Sequence, residues 1–233
     1  MLALLLTPGC ATVNHDTSVY DPWEAKNRQV FKLNSGLDGG FVQSLAKAYK
    51  RVTPQFLRSG VTNFYANIAD AGGAIHSFLQ AKPVQGFTSL GRFGLNTTVG
   101  LGGLFDIASK TSLQRQPEDI GQTLAVWGWQ QDSYLVTPAG PTSSRDIWHL
   151  PLRHYVLPRA LLGDLYSLPL FLLGVINYRA ETLELTDRVK ESALDEYIFI
   201  REGYRQKRRE AIYDGNPPAE DWDELFDDEL FEQ

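Results

Sequence analysis

Apolar positions along this chain recur at helical spacing, in short runs cut by glycine and proline. Asp21-Pro22-Trp23-Glu24 has the composition of a helix start, with Asp21 as N-cap, Pro22 at the first helical position and Glu24 closing a capping box. Trp23, Asn27, Val30, Phe31, Asn34 and Leu37 then fall on one face, which is mostly apolar but carries two asparagines. Gly39-Gly40 is expected to break the chain. Phe41, Val42, Leu45, Ala46 and Tyr49 predict a second helix ending near Arg51. Thr53-Pro54 repeats the cap-then-proline start, and Leu57, Val61, Phe64, Tyr65 and Ile68 keep the period until Gly72-Gly73 interrupts it. A short helix around Ile75, Phe78 and Leu79 should stop before Pro83. Another runs from Pro83 to about Thr97, with Gly91 and Gly94 among Phe87, Leu90 and Leu95 on one side.

Val99 to Phe105 mixes glycine with apolar residues and lacks the Lys and Ser/Thr of a phosphate loop, so it predicts a tight apolar corner. Glu118 to Trp127 is a helix candidate, Ser133 to Thr137 the best extended stretch, and Thr137 to Pro158 a loop punctuated by Pro and Gly. Pro169 to about Val189 and Ser192 to Tyr213 complete the helices, the last with Arg201, Arg205, Lys207, Arg208 and Arg209 towards its end. Cations there complement a helix C-terminus, a reading preferred over a binding patch. No apolar run reaches the roughly 20 residues of a membrane span. Strand signals are sparse, and the fold class is all-α, built from many short helices.

Composition changes this picture at the two ends. Met-Leu-Ala-Leu-Leu-Leu at Met1–Leu6, followed by Thr7-Pro8-Gly9-Cys10, is an apolar run ending in a small residue before the chain's one cysteine, the pattern of a lipoprotein signal segment. Thr7, Pro8 and the lack of a preceding Lys or Arg depart from that pattern, and the run is short, which leaves a start upstream of Met1 open. Cys10 is either the lipidated first residue of the mature chain or a buried thiol without lipid. If it is lipidated, Ala11 beside it favours outer-membrane sorting, and several acyl chains would anchor stably. Residues 11–20 are expected to be a polar tether, 21–215 a helical domain, and 216–233 an acidic, disordered tail. The eight acids from Ala219 onward outweigh the whole net charge of −6 and leave the rest at +2, too little basic field for nucleic acid. Five Trp and ten Tyr suit either a membrane interface or ordinary packing.

Enzymatic chemistry finds little support. There is no Gly-x-Ser-x-Gly elbow, and His15, His76, His149 and His154 are scattered without a third ligand for any pair, so neither a catalytic nor a metal site is expected and no cofactor is implied.

Several strings, in order, resemble one known family. These are Asp21-Pro22-Trp23-Glu24 with Asn27-Arg28, Phe31 and Asn34; Tyr49-Lys50-Arg51-Val52-Thr53-Pro54; and Gly60-Val61-Thr62-Asn63-Phe64 with Asn67. Gly91-Arg92-Phe93 with Leu95-Asn96-Thr97-Thr98-Val99-Gly100-Leu101-Gly102-Gly103-Leu104-Phe105-Asp106 is the most specific. Glu118 to Leu124, Ser144-Arg145-Asp146 and Asp195-Glu196-Tyr197 follow. From Asp21 to about Tyr213 the chain is similar to the MlaA (VacJ) lipoproteins, departing at Lys26, at Asp70-Ala71-Gly72 and at Trp129 to Ser133. The resemblance implies a single ring-like bundle embedded in the periplasmic leaflet of the outer membrane and held by a covalent N-terminal lipid. The ring would enclose an amphipathic channel beside a trimeric porin. It would remove mislocalised phospholipids from the outer leaflet and pass them to an MlaC-like periplasmic carrier, without catalysis. The alternative is an envelope scaffold bound to a porin that moves no lipid.

A channel for lipid must accept a polar headgroup and leave a route for acyl tails. The channel or lipid-contact candidates are Asn27, Arg28, Asn34, Asn63, Asn67, Arg92, Asn96, Gly100, Gly102, Gly103, Leu104 and Phe105. The asparagines either line such a wall or cap and hydrogen-bond within the protein. Arg92 and Arg145 either meet a phosphate or, the preferred reading, pair with Asp106 and Asp146. The corner from Leu95 to Phe105 is expected to dip into the bilayer at the channel mouth.

Overall fold

The computed structural model of the chain describes residues 20–129, 131–149, 152 and 156–218. The signal segment with Cys10, most of the tether and the acidic tail from residue 219 lie outside them.

Helix α1 (Glu24–Leu37) passes through a π turn (Asp38–Val42) into α2 (Gln43–Val52). Gly39-Gly40 therefore does not break the chain: the helix widens by one residue per turn there and continues. Asp38 accounts for this, because its carboxylate receives a two-pronged hydrogen bond from Arg179 at 2.7 Å on each oxygen, tying the turn to a distant helix. The start of α1 also differs from expectation. Asp21 caps with its backbone carbonyl, which accepts from the Glu24 N–H, while its buried side chain turns inward.

Helices α3 (Gln55–Leu79) and α4 (Pro83–Thr98) form a hairpin. α3 is continuous through Gly72-Gly73, where the missing side chain of Gly73 lets the backbone at Glu118 pass in van der Waals contact. At the hairpin turn the Lys82 N–H reaches the Ser77 carbonyl at 2.9 Å and the Ala81 N–H reaches Phe78 at 3.0 Å, a Schellman motif with Ala81 in the left-handed region. After a short 3₁₀ turn (Ala108–Lys110) come α5 (Ile120–Val126), the antiparallel strands β1 (Tyr134–Thr137) and β2 (Gly140–Ser143), α6 (Leu157–Leu162), α7 (Asp164–Ser192) and α8 (Glu196–Ile212). Strand β2 lies in a stretch expected to be loop. It pairs in the register Tyr134 with Ser143 and Thr137 with Gly140. α7 begins before Pro169 and carries it inside.

Packed neighbours follow one another around a closed circuit. α3 meets α5, α5 meets α8, α8 meets β2, β1 meets α1, and α2 meets α7, which returns to α3. The joints are small. Ala46 and Tyr49 of α2 lie against Ala180 and Leu183 of α7. Tyr134, Val136 and Tyr197 gather Tyr20, Val30, Phe31 and Tyr204 around them in edge-on aromatic contacts.

What is buried and what is exposed runs against the usual order. Among the described residues, nine hydrophobic side chains are buried against 21 polar or charged ones, while 33 large hydrophobics are exposed. Globular proteins put Lys, Arg, Asp and Glu outside unless they are paired, and rarely expose such apolar area. No described helix is long and apolar enough to cross a membrane.

Candidate functional site

The most organised polar interior lies between α3 and α4. On α4, Arg92 and Asn96 are four residues apart and share a face. On α3, Asn67 and Asp70 face them. Arg92 is 1% exposed, and its guanidinium donates to Asp70 at 3.2 Å, to Asp106 at 3.0 and 3.1 Å, and to the Leu113 carbonyl at 2.6 Å. Arg115 closes the group by donating to both oxygens of Asp70, at 3.0 and 2.9 Å. Burial pushes the Asp106 carboxyl up, but hydrogen bonds from Ser109 and Asn96 and the charge of Arg92 outweigh it and lower its pKa to about 2. Of the two readings of Arg92, the structure bears out the pairing with Asp106 and adds Asp70.

This cluster holds the loop that follows α4. Asn96 donates to Asp106 at 3.1 Å and accepts from the Ala108 N–H at 2.9 Å. Asn63 reaches the Leu104 carbonyl at 3.2 Å, and Asn67 donates to the Thr97 hydroxyl at 2.9 Å. Three successive residues, Leu101, Gly102 and Gly103, take positive φ. A Cβ on Gly103 would stand 2.7 Å from the Asn67 side chain, and one on Gly100 would overlap the Phe105 and Asn96 carbonyl oxygens. The loop's backbone is thus folded back onto α4, with N–H bonds from Gly102 to Thr97, Gly103 to Asn96 and Phe105 to Gly100 at 2.9–3.0 Å. Val99, Leu101, Leu104 and Phe105 are left exposed. A loop with several of its backbone groups paired and its apolar side chains turned outward meets an apolar medium at a reduced cost in unpaired polar groups.

Asn27, Arg28 and Asn34 lie elsewhere, at the α1–hairpin–α8 joint. The Asn27 amide behaves like a strand residue, donating to the Tyr134 carbonyl and accepting from the Val136 N–H, both at 3.0 Å, and donating to Asp21 at 2.8 Å. Asn34 donates to the Thr137 carbonyl at 2.7 Å. These asparagines occupy the edge of β1 that β2 leaves open. Asp21 also accepts from the Tyr197 hydroxyl at 2.5 Å and from Arg201 at 3.2 Å. Burial, and then Asp21 itself, push the Tyr197 phenol far above its ordinary range.

A third group was not visible in the sequence. Arg208 of α8 donates to Asp119, the N-cap of α5, at 2.6 and 3.0 Å and to Asp146 at 2.8 Å, where Tyr204 also donates at 2.6 Å. Burial raises the Asp119 carboxyl, but Arg208 overrides it and holds the group well below the usual carboxylate range. A side chain on Gly121 would occupy this space. Arg201 and Arg208 therefore reach across to acids on other elements, where the sequence suggested a role at the end of their own helix, while Arg205 pairs with Glu202 one turn earlier on that helix. Likewise Arg145 pairs with Asp132 at 2.7 Å, and Asp146, its expected partner, is 3.9 Å away and belongs chiefly to Arg208 and Tyr204. No three His, Cys, Asp or Glu side chains form a metal-binding group among the described residues.

Residues 19–211 match the family described as MlaA lipoprotein. The chain belongs to that family. It is 32% identical over 212 residues to the intermembrane phospholipid transport system lipoprotein MlaA of Escherichia coli, covering 88% of this chain and 84% of that one. It is 35% identical over 207 residues to an uncharacterized protein of Rickettsia bellii, covering 88% and 81%. Among solved structures, it is similar to a chain from work on the structural basis for maintenance of bacterial outer membrane lipid asymmetry. The TM-score there is 0.71 at 28% identity, covering 84% of this chain and 99% of that one. Within this MlaA fold, the strings from Gly91 to Asp106 and from Glu118 to Leu124 that suggested the family carry members of two of the buried ionic groups, Arg92–Asp106 and Asp119–Arg208.

Proposed function

We propose that this chain is an outer-membrane lipoprotein that takes mislocalised phospholipids from the outer leaflet through its ring and hands them to a periplasmic carrier, maintaining lipid asymmetry. The observation that carries the reading is the inverted surface, with paired charges inside and Phe, Leu and Trp outside. An apolar exterior that no described helix carries across a bilayer suits a body seated in one leaflet. Lipidation of Cys10 would hold it there, with several acyl chains giving stable attachment. A polar interior facing an apolar exterior matches the two ends of a phospholipid. Similarity to the intermembrane phospholipid transport lipoprotein of E. coli and to the structure solved for outer membrane lipid asymmetry supports the same reading. In it, the exposed loop from Val99 to Phe105 contacts acyl chains, and a trimeric porin and an MlaC-like carrier are the protein partners.

The test is a gene deletion scored for phospholipid in the outer leaflet and for survival in detergent with EDTA, complemented with wild type and with Cys10→Ala. Excess surface phospholipid cured by wild type and not by Cys10→Ala is the expected result. Unchanged surface phospholipid in the deletion would overturn the proposal and favour a porin-bound scaffold that moves no lipid.

A further inference from the structure

One cavity opens beside the Asp21–Tyr197–Arg201 group. It is an open pocket of about 320 Å³ between α1 and the start of α8. Arg28, Phe31 and Lys32, spaced by three and four residues, bring one wall from α1, and Asp195, Glu196 and Tyr197 bring the other. Asp195 is fixed by accepting from the Tyr197 and Ile198 N–H groups at 2.9 and 3.2 Å. Arg28 is fixed by Glu24 at 2.7 Å and Asp195 at 2.9 Å, with its guanidinium 4.4 Å over the Tyr197 ring. Lys32 and Glu196 make no ion pair among the described residues, although each lines the pocket with opposite charge.

The pocket is therefore polarised, with cations on the α1 wall, carboxylates on the α8 wall and aromatic rings between them. A simple anion entering it would meet Asp195 and Glu196. A simple cation would meet Arg28 and Lys32. Only a ligand carrying both charges in the same order satisfies both walls, and such matching gives discrimination as well as affinity. We infer that the pocket binds the zwitterionic phosphoammonium group, a phosphate ester bearing an amine, with the phosphate towards Lys32 and Arg28 and the ammonium towards Glu196 and Asp195. The half-buried Phe31 would lie under the carbons, while the face of Tyr197 is already taken by Arg28. A phosphoethanolamine lipid headgroup and free phosphoethanolamine share this chemistry. The lipid source rests on the phospholipid-transport reading, whereas the zwitterion preference does not.

The purified full-length lipoprotein in detergent is titrated by calorimetry with O-phosphoethanolamine, inorganic phosphate and ethanolamine. Phosphoethanolamine is expected to bind about tenfold more tightly than either half alone. Lys32→Ala should weaken it about tenfold, and Glu196→Gln should erase most of its advantage over phosphate. Lys32 is exposed and Glu196 half-buried, and unchanged circular dichroism excludes misfolding as the cause. In nanodiscs of equal phosphatidylethanolamine and phosphatidylglycerol, crosslinking at Ser35 enriched for the ethanolamine lipid and lost in Lys32→Ala assigns the lipid as source. Binding of the soluble ester alone assigns a free phosphate ester. Equal affinity for phosphate and phosphoethanolamine, or a preference untouched by both substitutions, would overturn the inference. Such a failure beside a deletion that still accumulates surface phospholipid would remove the pocket and leave the transport reading standing.

Discussion

Gly100 and Gly102 stand two residues apart in the same loop and are glycine for different physical reasons. Gly102 has φ +70 with open space where a side chain would go, so Gly102→Ala should cost about 1 kcal/mol of backbone strain, and Gly102→Asn less. Gly100 has an ordinary backbone but no room, its Cβ position lying against the carbonyl oxygens of Phe105 in the loop and Asn96 in α4. Gly100→Ala should therefore cost about 3 kcal/mol or more, since the obstruction is backbone and cannot rotate away. Thermal unfolding in detergent ranks the three. A Gly100→Ala protein as stable as Gly102→Ala would show that the loop is not held as described. The sequence displayed the cluster of glycines and its apolar neighbours, which was enough to expect a tight corner. It could not show which glycine answers to strain and which to crowding, because that depends on Asn96 and Phe105 folding back over it.

Among the elements, the helices were legible in the spacing of apolar positions, and their boundaries less so. Gly39-Gly40 and Gly72-Gly73 looked like breaks because glycine weakens an isolated helix by about 1 kcal/mol relative to alanine. Here tertiary partners override that cost, Arg179 gripping Asp38 in one case and the Glu118 segment crossing Gly73 in the other. Strand β2 was hidden because Gly140-Pro141-Thr142-Ser143 has the composition of a turn, and Pro141 is tolerated on a strand with a free edge. The sevenfold spacing of Asn27 and Asn34 was visible, but their partners were not, since the open edge of β1 exists only once the hairpin forms. Asn27→Ala should remove three hydrogen bonds and leave the Val136 N–H and the Asp21 carboxylate short of a partner, costing roughly 2–4 kcal/mol. Asn34→Ala removes one hydrogen bond and should cost about 1 kcal/mol. Amide exchange at Val136 should quicken in the first variant and not in the second, and equal protection in both would refute the edge-capping account.

For the whole molecule, the polar interior makes stability depend on carboxylates remaining charged. The folded pKa of Asp106 is about 2 against an ordinary 3.8, and that of Asp119 is lower still. A depressed folded pKa contributes stability that is fully present above the unfolded value and is lost as pH falls through the folded one. Glu118 works in the opposite direction, burial raising its carboxyl against hydrogen bonds from Gln80 and Lys82. The two aspartates should prevail, so resistance to denaturant should fall between about pH 4 and pH 2. Asp106→Asn should be less stable at neutral pH and show a shallower decline with acid, measured as denaturation midpoints in detergent. A decline as steep as that of wild type would remove Asp106 from the account. The closed circuit of packing has a separate consequence, for the order of assembly. The helices that complete it, α7 and α8, meet partners that lie more than a hundred residues earlier, as in Asp38 with Arg179 and Asp21 with Arg201. The Asp70–Arg92–Asp106–Arg115 group can form within the first half, but Asp21, Asp38 and Arg58 wait for Arg201, Arg179 and Glu181 until the chain is almost fully synthesised. Closure of the circuit is therefore a late event of assembly, and until then the unfinished chain shows apolar side chains on which a holding chaperone would act.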